Sequence, residues 1–182
     1  MSGMSDVIIT GHTSGIGKSL YNFFTPGCIG LSRSTGFDIT KDDFNWHGDV
    51  FINNAINLKS YEGMFGQVRM FWQAWKLWRK FTDRTIVNIG SISIDYPTSP
   101  TYLQMMYASS KSALANASKS CQYIENGPRV IHVKLGAVDT PLIKNYNMPK
   151  MPVEEITDAI LDALDNRYCF EIDLSPRGFR ND

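Results

Sequence analysis

The chain has 182 residues, 43% of them hydrophobic, and its 18 basic side chains balance its 18 acidic ones. This length predicts one globular domain, residues 1–182, with about 175–182 as a tail. A net charge of zero argues against a nucleic-acid partner, because a phosphate-binding face normally carries a basic excess. No apolar run could span a bilayer and the first six residues lack a secretion signal, so we expect a cytoplasmic protein that binds no membrane.

Apolar runs and turn residues predict strands that alternate with helices. The predicted strands are 7–10, 28–32, 50–54, 85–90, 129–135 and 168–174, with a brief extended piece at 37–40. The predicted helices are 18–24, 62–81, 102–122 and 153–164. Nearly continuous apolar strands indicate a doubly wound, mostly parallel α/β sheet with helices on both faces, in three α/β/α layers. The short spacing between the second and third strands predicts that the helix between them is reduced or lost.

Small or polar residues follow four of the predicted strands. They are "TGHTSGIG" at 10–17, Asn53-Asn54, Ser91, and "LGAVDT" at 135–140. In open α/β sheets a ligand binds beyond the carboxyl ends of the strands. A glycine-rich turn that opens a helix can direct backbone N–H groups at a pyrophosphate, although a plain strand-to-helix turn is as good an interpretation of the glycines alone.

The stretch "YASSK" places Tyr107 and Lys111 four residues apart, on one face of a helix. A neighbouring ammonium lowers the pKa of a phenol and makes it usable as a proton donor near neutral pH. The Ser91 hydroxyl could bond the same substrate oxygen that Tyr107 protonates. An isolated pair of this kind is more often an ordinary surface pair on an amphipathic helix.

Five motifs in order make the sequence resemble the short-chain dehydrogenases/reductases, which are single-domain Rossmann-fold oxidoreductases. The matching motifs are "TGHTSGIG" for Thr-Gly-x-x-x-Gly-x-Gly, "NNAI" for Asn-Asn-Ala-Gly, "VNIGS" for the serine strand, "YASSK" for Tyr-x-x-x-Lys, and "LGAVDT" for Pro-Gly-x-x-x-Thr. The resemblance covers residues 7–174. It implies hydride transfer between a nicotinamide and a carbonyl or alcohol substrate, with a tyrosine as acid/base.

The resemblance also implies a role for each matching residue. Tyr107 would be the acid/base, Ser91 would polarise the carbonyl, and Lys111 would hold the nicotinamide ribose and assist Tyr107. The implied cofactor-binding residues, besides Tyr107 and Lys111, are Gly11, His12, Thr13, Ser14, Gly15, Ile16, Gly17, Arg33, Ser34, Asp38, Asn54, Ala55, Val138 and Thr140.

The end of the second strand bears on the choice of nucleotide. An acidic residue there favours NAD(H), and a basic one favours the 2′-phosphate of NADP(H). The sequence "LSRS" offers Arg33 and no acid, so NADP(H) is the preferred cofactor and NAD(H) a possible one. An ordinary exposed arginine is the alternative. Ser34 could add a hydrogen bond, and Asp38 resembles the family's adenine-binding aspartate.

Several positions depart from the family pattern. Ile56 replaces the last glycine of Asn-Asn-Ala-Gly, and Leu135 replaces a proline. The catalytic asparagine of the family has no counterpart in "GMFGQVRMF", where Gln67 is the nearest amide and is offset by about one residue. Ser93 is a fallback for Ser91. These departures, with a short substrate lid, keep open a catalytically weak or inactive dinucleotide-binding sensor or scaffold, and a non-redox lyase or epimerase.

An aromatic-rich helix, "MFWQAWKLWRKF", places Phe71, Trp75 and Trp78 on one stripe with Trp72 beside it. We expect this stripe to form a subunit interface of a homodimer or homotetramer, ahead of core packing and of membrane-surface binding. The three histidines show no metal-ligand spacing, and His132, in the middle of a strand, is expected to be a satisfied core residue. The three cysteines are expected to be reduced, buried thiols.

Overall fold

The computed structural model describes residues 6–94 and 101–174, in which six strands and four helices follow the predicted order. The strands are β1 (Val7–Thr10), β2 (Cys28–Leu31), β3 (Val50–Asn53), β4 (Thr85–Ile89), β5 (Arg129–Leu135) and β6 (Glu171–Leu174). The helices are α1 (Gly15–Phe24), α2 (Tyr61–Trp78), α3 (Tyr102–Gln122) and α4 (Val153–Asp165). The predicted extended piece at 37–40 is not a strand. The predicted tail, and most of the loop predicted after β4, lie outside the described residues.

The sheet has the strand order β2-β1-β3-β4-β5-β6, and every neighbouring pair is parallel. In the sheet, β2 lies on one side of β1, and β3 to β6 follow one another on the other side. The reversal lies between β1 and β3, which is where open α/β sheets leave a crevice for a ligand. The glycine loop after β1 and Asn54 after β3 flank this crevice.

Helices cover both faces of the sheet. On one face, Leu20 of α1 and Ile156 and Ile160 of α4 are buried in a single cluster with β-strand side chains. On the other face, α2 and α3 share a second buried cluster with side chains such as Phe51 and Val130. The predicted doubly wound fold with three α/β/α layers is therefore confirmed.

As predicted, the helix between β2 and β3 is reduced: a short 3-10 helix, Arg33–Thr35, and a loop connect the two strands. Phe37, Ile39 and Phe44 of this loop are buried in the same cluster as α2. The guanidinium of Arg69, on α2, donates to the carbonyl oxygens of Ile39 at 3.1 Å and Asp42 at 2.6 Å. Apolar side chains and one arginine thus cover this part of the sheet in place of a helix.

The aromatic stripe of α2 belongs to the core of the chain. Phe71 and Trp78 are 0% exposed and Trp75 is 9% exposed, so the expectation that these three form a subunit interface is wrong. The Trp78 indole N–H donates to the carbonyl oxygen of Trp46 at 3.0 Å, which satisfies its buried polar atom. The ring of Trp78 packs edge-on against Phe44 of the loop before β3 and against Phe51 of β3. Trp72 alone of the group is exposed, at 45%.

Candidate active site

The glycine loop, residues 10–17, follows β1 and brings the backbone of Gly17 close to that of Gly11. Gly11 and Gly15 have positive φ angles of 74° and 52°, which favour glycine. A Cβ on Gly17 would overlap the carbonyl oxygen of Gly11. Ser14 is the N-cap of α1, and within the described chain its side chain makes no capping hydrogen bond. The Ser14 hydroxyl therefore leaves the first N–H groups of α1 uncovered. A helix start that binds phosphate needs such uncovered N–H groups.

Hydrogen bonds fasten this loop to the end of β3. The Thr10 hydroxyl accepts the backbone N–H groups of Asn54 at 3.0 Å and Ala55 at 3.1 Å. The Asn54 amide donates to the carbonyl oxygens of Thr10 and Gly11 at 3.1 and 3.3 Å. Ile56 follows without strain, because among residues 6–94 and 101–174 only glycines have positive φ. The loss of the family's glycine therefore does not distort this corner.

His12 packs beside the loop, against β2. Its ring lies where a side chain on Gly30 would be, and its centroid is 4.8 Å from that of Tyr21. Its Nδ1 is buried with no hydrogen-bond partner in the described part of the chain. Thr13 and Ser14, which follow, are exposed on the open side of the loop.

The turn after β2 carries the residues expected near an adenosine. Arg33 is exposed and begins a short 3-10 helix, Arg33–Thr35. The Ser34 hydroxyl lies 2.8 Å from that of Ser32, so the two hydroxyls bond each other. The Asp38 carboxylate accepts the backbone N–H and the hydroxyl of Thr40 at 2.9 and 2.8 Å. These bonds lower the pKa of Asp38.

Ser91 and Tyr107 meet at the carboxyl end of β4. The Ser91 hydroxyl lies close enough to the phenol of Tyr107 to lower its pKa, and it accepts the backbone N–H of Ser93 at 3.2 Å. The Ser93 hydroxyl is buried and has no partner in the described residues. Ser91, and not Ser93, is therefore the serine that touches Tyr107. Burial raises the pKa of Tyr107, and the Ser91 hydroxyl partly offsets this.

Lys111 is buried beneath Tyr107. Its ammonium lies 5.6 Å from the centroid of the Tyr107 ring and donates to the carbonyl oxygen of Ile89 at 2.7 Å. It also donates to the side-chain oxygen of Gln67 at 2.5 Å. Burial lowers the pKa of Lys111 to about 7. The expectation that this ammonium lowers the pKa of Tyr107 is wrong for this structure, since the phenol pKa is raised and the lysine is bonded to Gln67 and Ile89.

Gln67 is a site residue that the sequence did not assign. It is 1% exposed, and its amide nitrogen donates to the carbonyl oxygens of Asn53 at 2.8 Å and Ile89 at 3.3 Å. The Asn53 amide in turn donates to the backbone carbonyl of Gln67 at 2.8 Å. The only sequence signal was its place on the helix that carries the asparagine in the family.

A buried polar network continues from this point along the sheet. The Asn53 amide donates to Asn88 at 2.9 Å, and the Asn88 amide donates to the Ser118 hydroxyl at 2.9 Å. His132 pairs with Asn88 in the strand register and is 1% exposed. Neither ring nitrogen of His132 has a partner in the described chain, so the expectation of a satisfied histidine is wrong. Burial, then the charge of Lys111, lowers the pKa of His132 to about 4.

The stretch after β5 lies against the glycine loop. The Thr140 methyl carbon would be 3.0 Å from a Cβ on Gly15. Val138 forms an isolated parallel bridge with Met151, and its side chain is buried. Val138 can therefore offer a ligand only its backbone, as the resemblance implies.

Histidine, cysteine and acidic side chains are the groups that could bind a metal ion or carry thiol chemistry. Over residues 6–94 and 101–174, no group of three or more acidic, histidine or cysteine side chains could hold a metal ion. The cysteines are free, as predicted, but only Cys121 is fully buried, while Cys28 and Cys169 are half-buried. None of the helices in this part of the chain combines the length and the apolar character that a membrane span needs.

Comparison with known proteins finds similarity in structure only. No family model matches the sequence, and no curated protein matches it. A small-chain dehydrogenase in complex with NADPH superposes with a TM-score of 0.71 at 19% identity, over 95% of this chain and 97% of that one. 4-Hydroxyisoleucine dehydrogenase complexed with NADH gives 0.75 at 18%, over 97% and 99%. A bulky-bulky ketone specific alcohol dehydrogenase from Comamonas testosteroni gives 0.73 at 20%, over 93% and 85%.

These similarities cover nearly the whole of both chains, and they define the fold. The chain has the Rossmann fold of the short-chain dehydrogenases and reductases. The resemblance seen in the sequence motifs is therefore confirmed at the level of the fold.

Proposed function

We propose that the chain is an NADP(H)-dependent oxidoreductase that interconverts a small carbonyl compound and its alcohol. Ser91, Tyr107 and Lys111 would be its catalytic residues. The observation that carries the proposal is the convergence of these three side chains at the end of β4: the Ser91 hydroxyl lies near the Tyr107 phenol, and the Lys111 ammonium lies under its ring. They adjoin the crevice where a ligand is expected in this fold.

The residues around this crevice fit a nicotinamide dinucleotide. The close backbone approach at Gly11 and Gly17, together with the start of α1 that its N-cap side chain leaves uncovered, suits a pyrophosphate. Thr140 and the backbone of Val138 would hold the carboxamide end. When bound, the nicotinamide supplies or accepts the hydride at the substrate carbon. Three of the similar structures hold NADPH or NADP, and others hold NADH.

Each catalytic side chain would have one task. The Ser91 hydroxyl would donate to the carbonyl oxygen and polarise it, and Tyr107 would deliver the proton to that oxygen as negative charge develops. Lys111 would bond the ribose and place a positive charge near the phenol. A pKa of Tyr107 that is raised in the free protein keeps the phenol protonated, which suits it as an acid for reduction.

Exposed Arg33 favours NADP(H) in this proposal. A guanidinium can bond a phosphate through two parallel N–H groups, and NADP(H) differs from NAD(H) by one phosphate. The Ser34 hydroxyl, 2.8 Å from that of Ser32, could add a hydrogen bond to the phosphate. Only one carboxylate oxygen of Asp38 is bonded to Thr40, which leaves the other for the adenine amino group.

Substitution of Tyr107 by Phe tests the proposal, because it removes the proton and keeps the ring. We expect NADPH affinity to stay nearly unchanged while reduction across a panel of carbonyl compounds falls about a hundredfold or more. Tyr123→Phe is the matched control, since Tyr123 follows the same helix and is 86% exposed. Equal rates in wild type and Tyr107→Phe would overturn the mechanism. A wild type that binds NADPH and reduces no carbonyl compound would indicate the sensor or scaffold instead.

A further inference from the structure

The carboxamide of Gln67 is held in one orientation. Its nitrogen donates to the carbonyl oxygens of Asn53 and Ile89, so its oxygen faces the ammonium of Lys111. An amide turned by 180° would place its N–H groups against the ammonium, and its oxygen would face the carbonyl oxygens of Asn53 and Ile89. The hydrogen-bond pattern therefore assigns the oxygen to Lys111 without ambiguity.

The two acceptors of Lys111 come from different elements of the fold. Gln67 lies on α2, and Ile89 ends β4, two residues before Ser91. A lysine ammonium has three N–H donors, so two are directed into the protein and one is left for a ligand. A buried ammonium with a single acceptor would be free to turn about its last bond, and its third donor would have no fixed direction.

We propose that Gln67 is a positioning residue for Lys111: with the carbonyl oxygen of Ile89, its side-chain oxygen fixes the ammonium beneath Tyr107 and stabilises its charged form. The effect on turnover rests on the proposed function, whereas the effect on Lys111 itself does not.

The proposal predicts opposite changes for two substitutions. Gln67→Glu keeps an acceptor for Lys111, replaces the amide N–H donor with a second oxygen and adds a negative charge, which favours the ammonium. Gln67→Met keeps the length and apolar volume but removes the acceptor, which disfavours the ammonium. The other titratable groups that face Lys111 are Tyr107 on α3 and His132 on β5, and both variants leave them in place. A residue that served packing alone would not produce changes of opposite sign.

The test is a pH titration of Lys111 in the full-length protein, observed by NMR with ¹³C at the lysine Cε atoms. The Lys111→Met variant identifies the Lys111 signal, because that signal is missing from its spectrum. We expect the midpoint to rise by about one pH unit or more in Gln67→Glu and to fall by about half a unit or more in Gln67→Met. Gln73→Glu is the control, because it adds the same charge on the same helix at a site that contacts Asp43, and it should leave the midpoint unchanged. An identical midpoint in wild type and both Gln67 variants would overturn the proposal.

Two further measurements complete the test. A nuclear Overhauser contact between the Lys111 ε-protons and the Gln67 γ-protons in the wild type is expected, and its absence would overturn the proposal even if neither variant folds. If the wild type reduces carbonyl compounds, the pH profile of its rate should move in the same directions as the titration. If it reduces none, the proposed function fails, while the NMR titration still decides the role of Gln67.

Discussion

The ring of His132 occupies the space that a side chain on Gly90 would need. A Cβ on Gly90 would overlap the Nε2 atom of the ring, and the Gly90 N–H donates to Val133 at 2.7 Å, which holds the two strands in register at that point. Ser91 is the next residue. A buried, unpaired histidine thus packs directly behind the serine of the candidate site.

Gly90→Ala should therefore destabilise the fold and disturb Ser91. We expect a loss of about 1–3 kcal/mol in the free energy of unfolding, the usual effect of overpacking a filled core, measured by urea denaturation. In a His132→Ala background the ring is absent, so the same substitution should cost much less. Equal losses in the two backgrounds would show that the ring is not the obstacle.

His132 should make the protein sensitive to mild acid. Burial lowers its pKa from the ordinary value of 6.5 to about 4 in the folded chain, so protonation favours the unfolded state. Its contribution is complete above pH 6.5 and is lost as the pH falls through 4, by up to about 3 kcal/mol. His132→Leu should therefore lose less stability than the wild type between pH 7 and pH 4. His47→Leu, at an exposed histidine, should behave like the wild type.

Arg33→Ala should lower the affinity for NADPH by about tenfold and leave that for NADH unchanged, because only NADPH carries the phosphate that a guanidinium can bond. Fluorescence titration with both nucleotides measures the ratio. Arg79→Ala, at an exposed arginine beyond the end of α2, is the control. An unchanged ratio in Arg33→Ala would mean that another residue selects the nucleotide.

A homodimer through α2 and α3 stays a prediction, although fewer of the aromatic side chains that suggested it are exposed than expected. Three of the four aromatic rings are core, and the large exposed apolar side chains on these helices are Tyr61 and Trp72 on α2 and Tyr102, Leu103 and Met105 on α3. Light scattering at micromolar concentration should give twice the chain mass, and Trp72→Glu should give the monomer. A wild type that elutes with the mass of one chain would contradict the interface.

The parts of the fold that depend on local pattern were predictable from the sequence. The bounds of α3 agree with the prediction at both ends, because Thr101 caps its start through Gln104 and its apolar face is periodic. The glycine loop was predictable for the same reason, since positive φ at Gly11 and Gly15 is a local requirement. The parallel sheet with helices on both faces followed from the alternating strands and helices.

Contacts between distant segments were not predictable. Gln67 and Lys111 are 44 residues apart, and one position along α2 decides whether an amide reaches the ammonium. The spacing of the motifs placed Gln67 about one residue away from the position of the family's asparagine, so the sequence did not indicate this contact. The placement of Trp75 and Trp78 failed similarly, because an apolar stripe looks the same whether it faces a sheet or a second subunit.

Helix α2 makes hydrogen bonds to two separate segments, the loop between β2 and β3 and the Lys111 side chain on α3. Arg69 holds the loop beyond the Arg33 turn, and Gln67, two residues earlier, holds Lys111. Any opening of this stretch of α2 releases both contacts at once. The loop and the lysine should therefore belong to one cooperative unit, and hydrogen exchange of their amide protons should give a common free energy of opening.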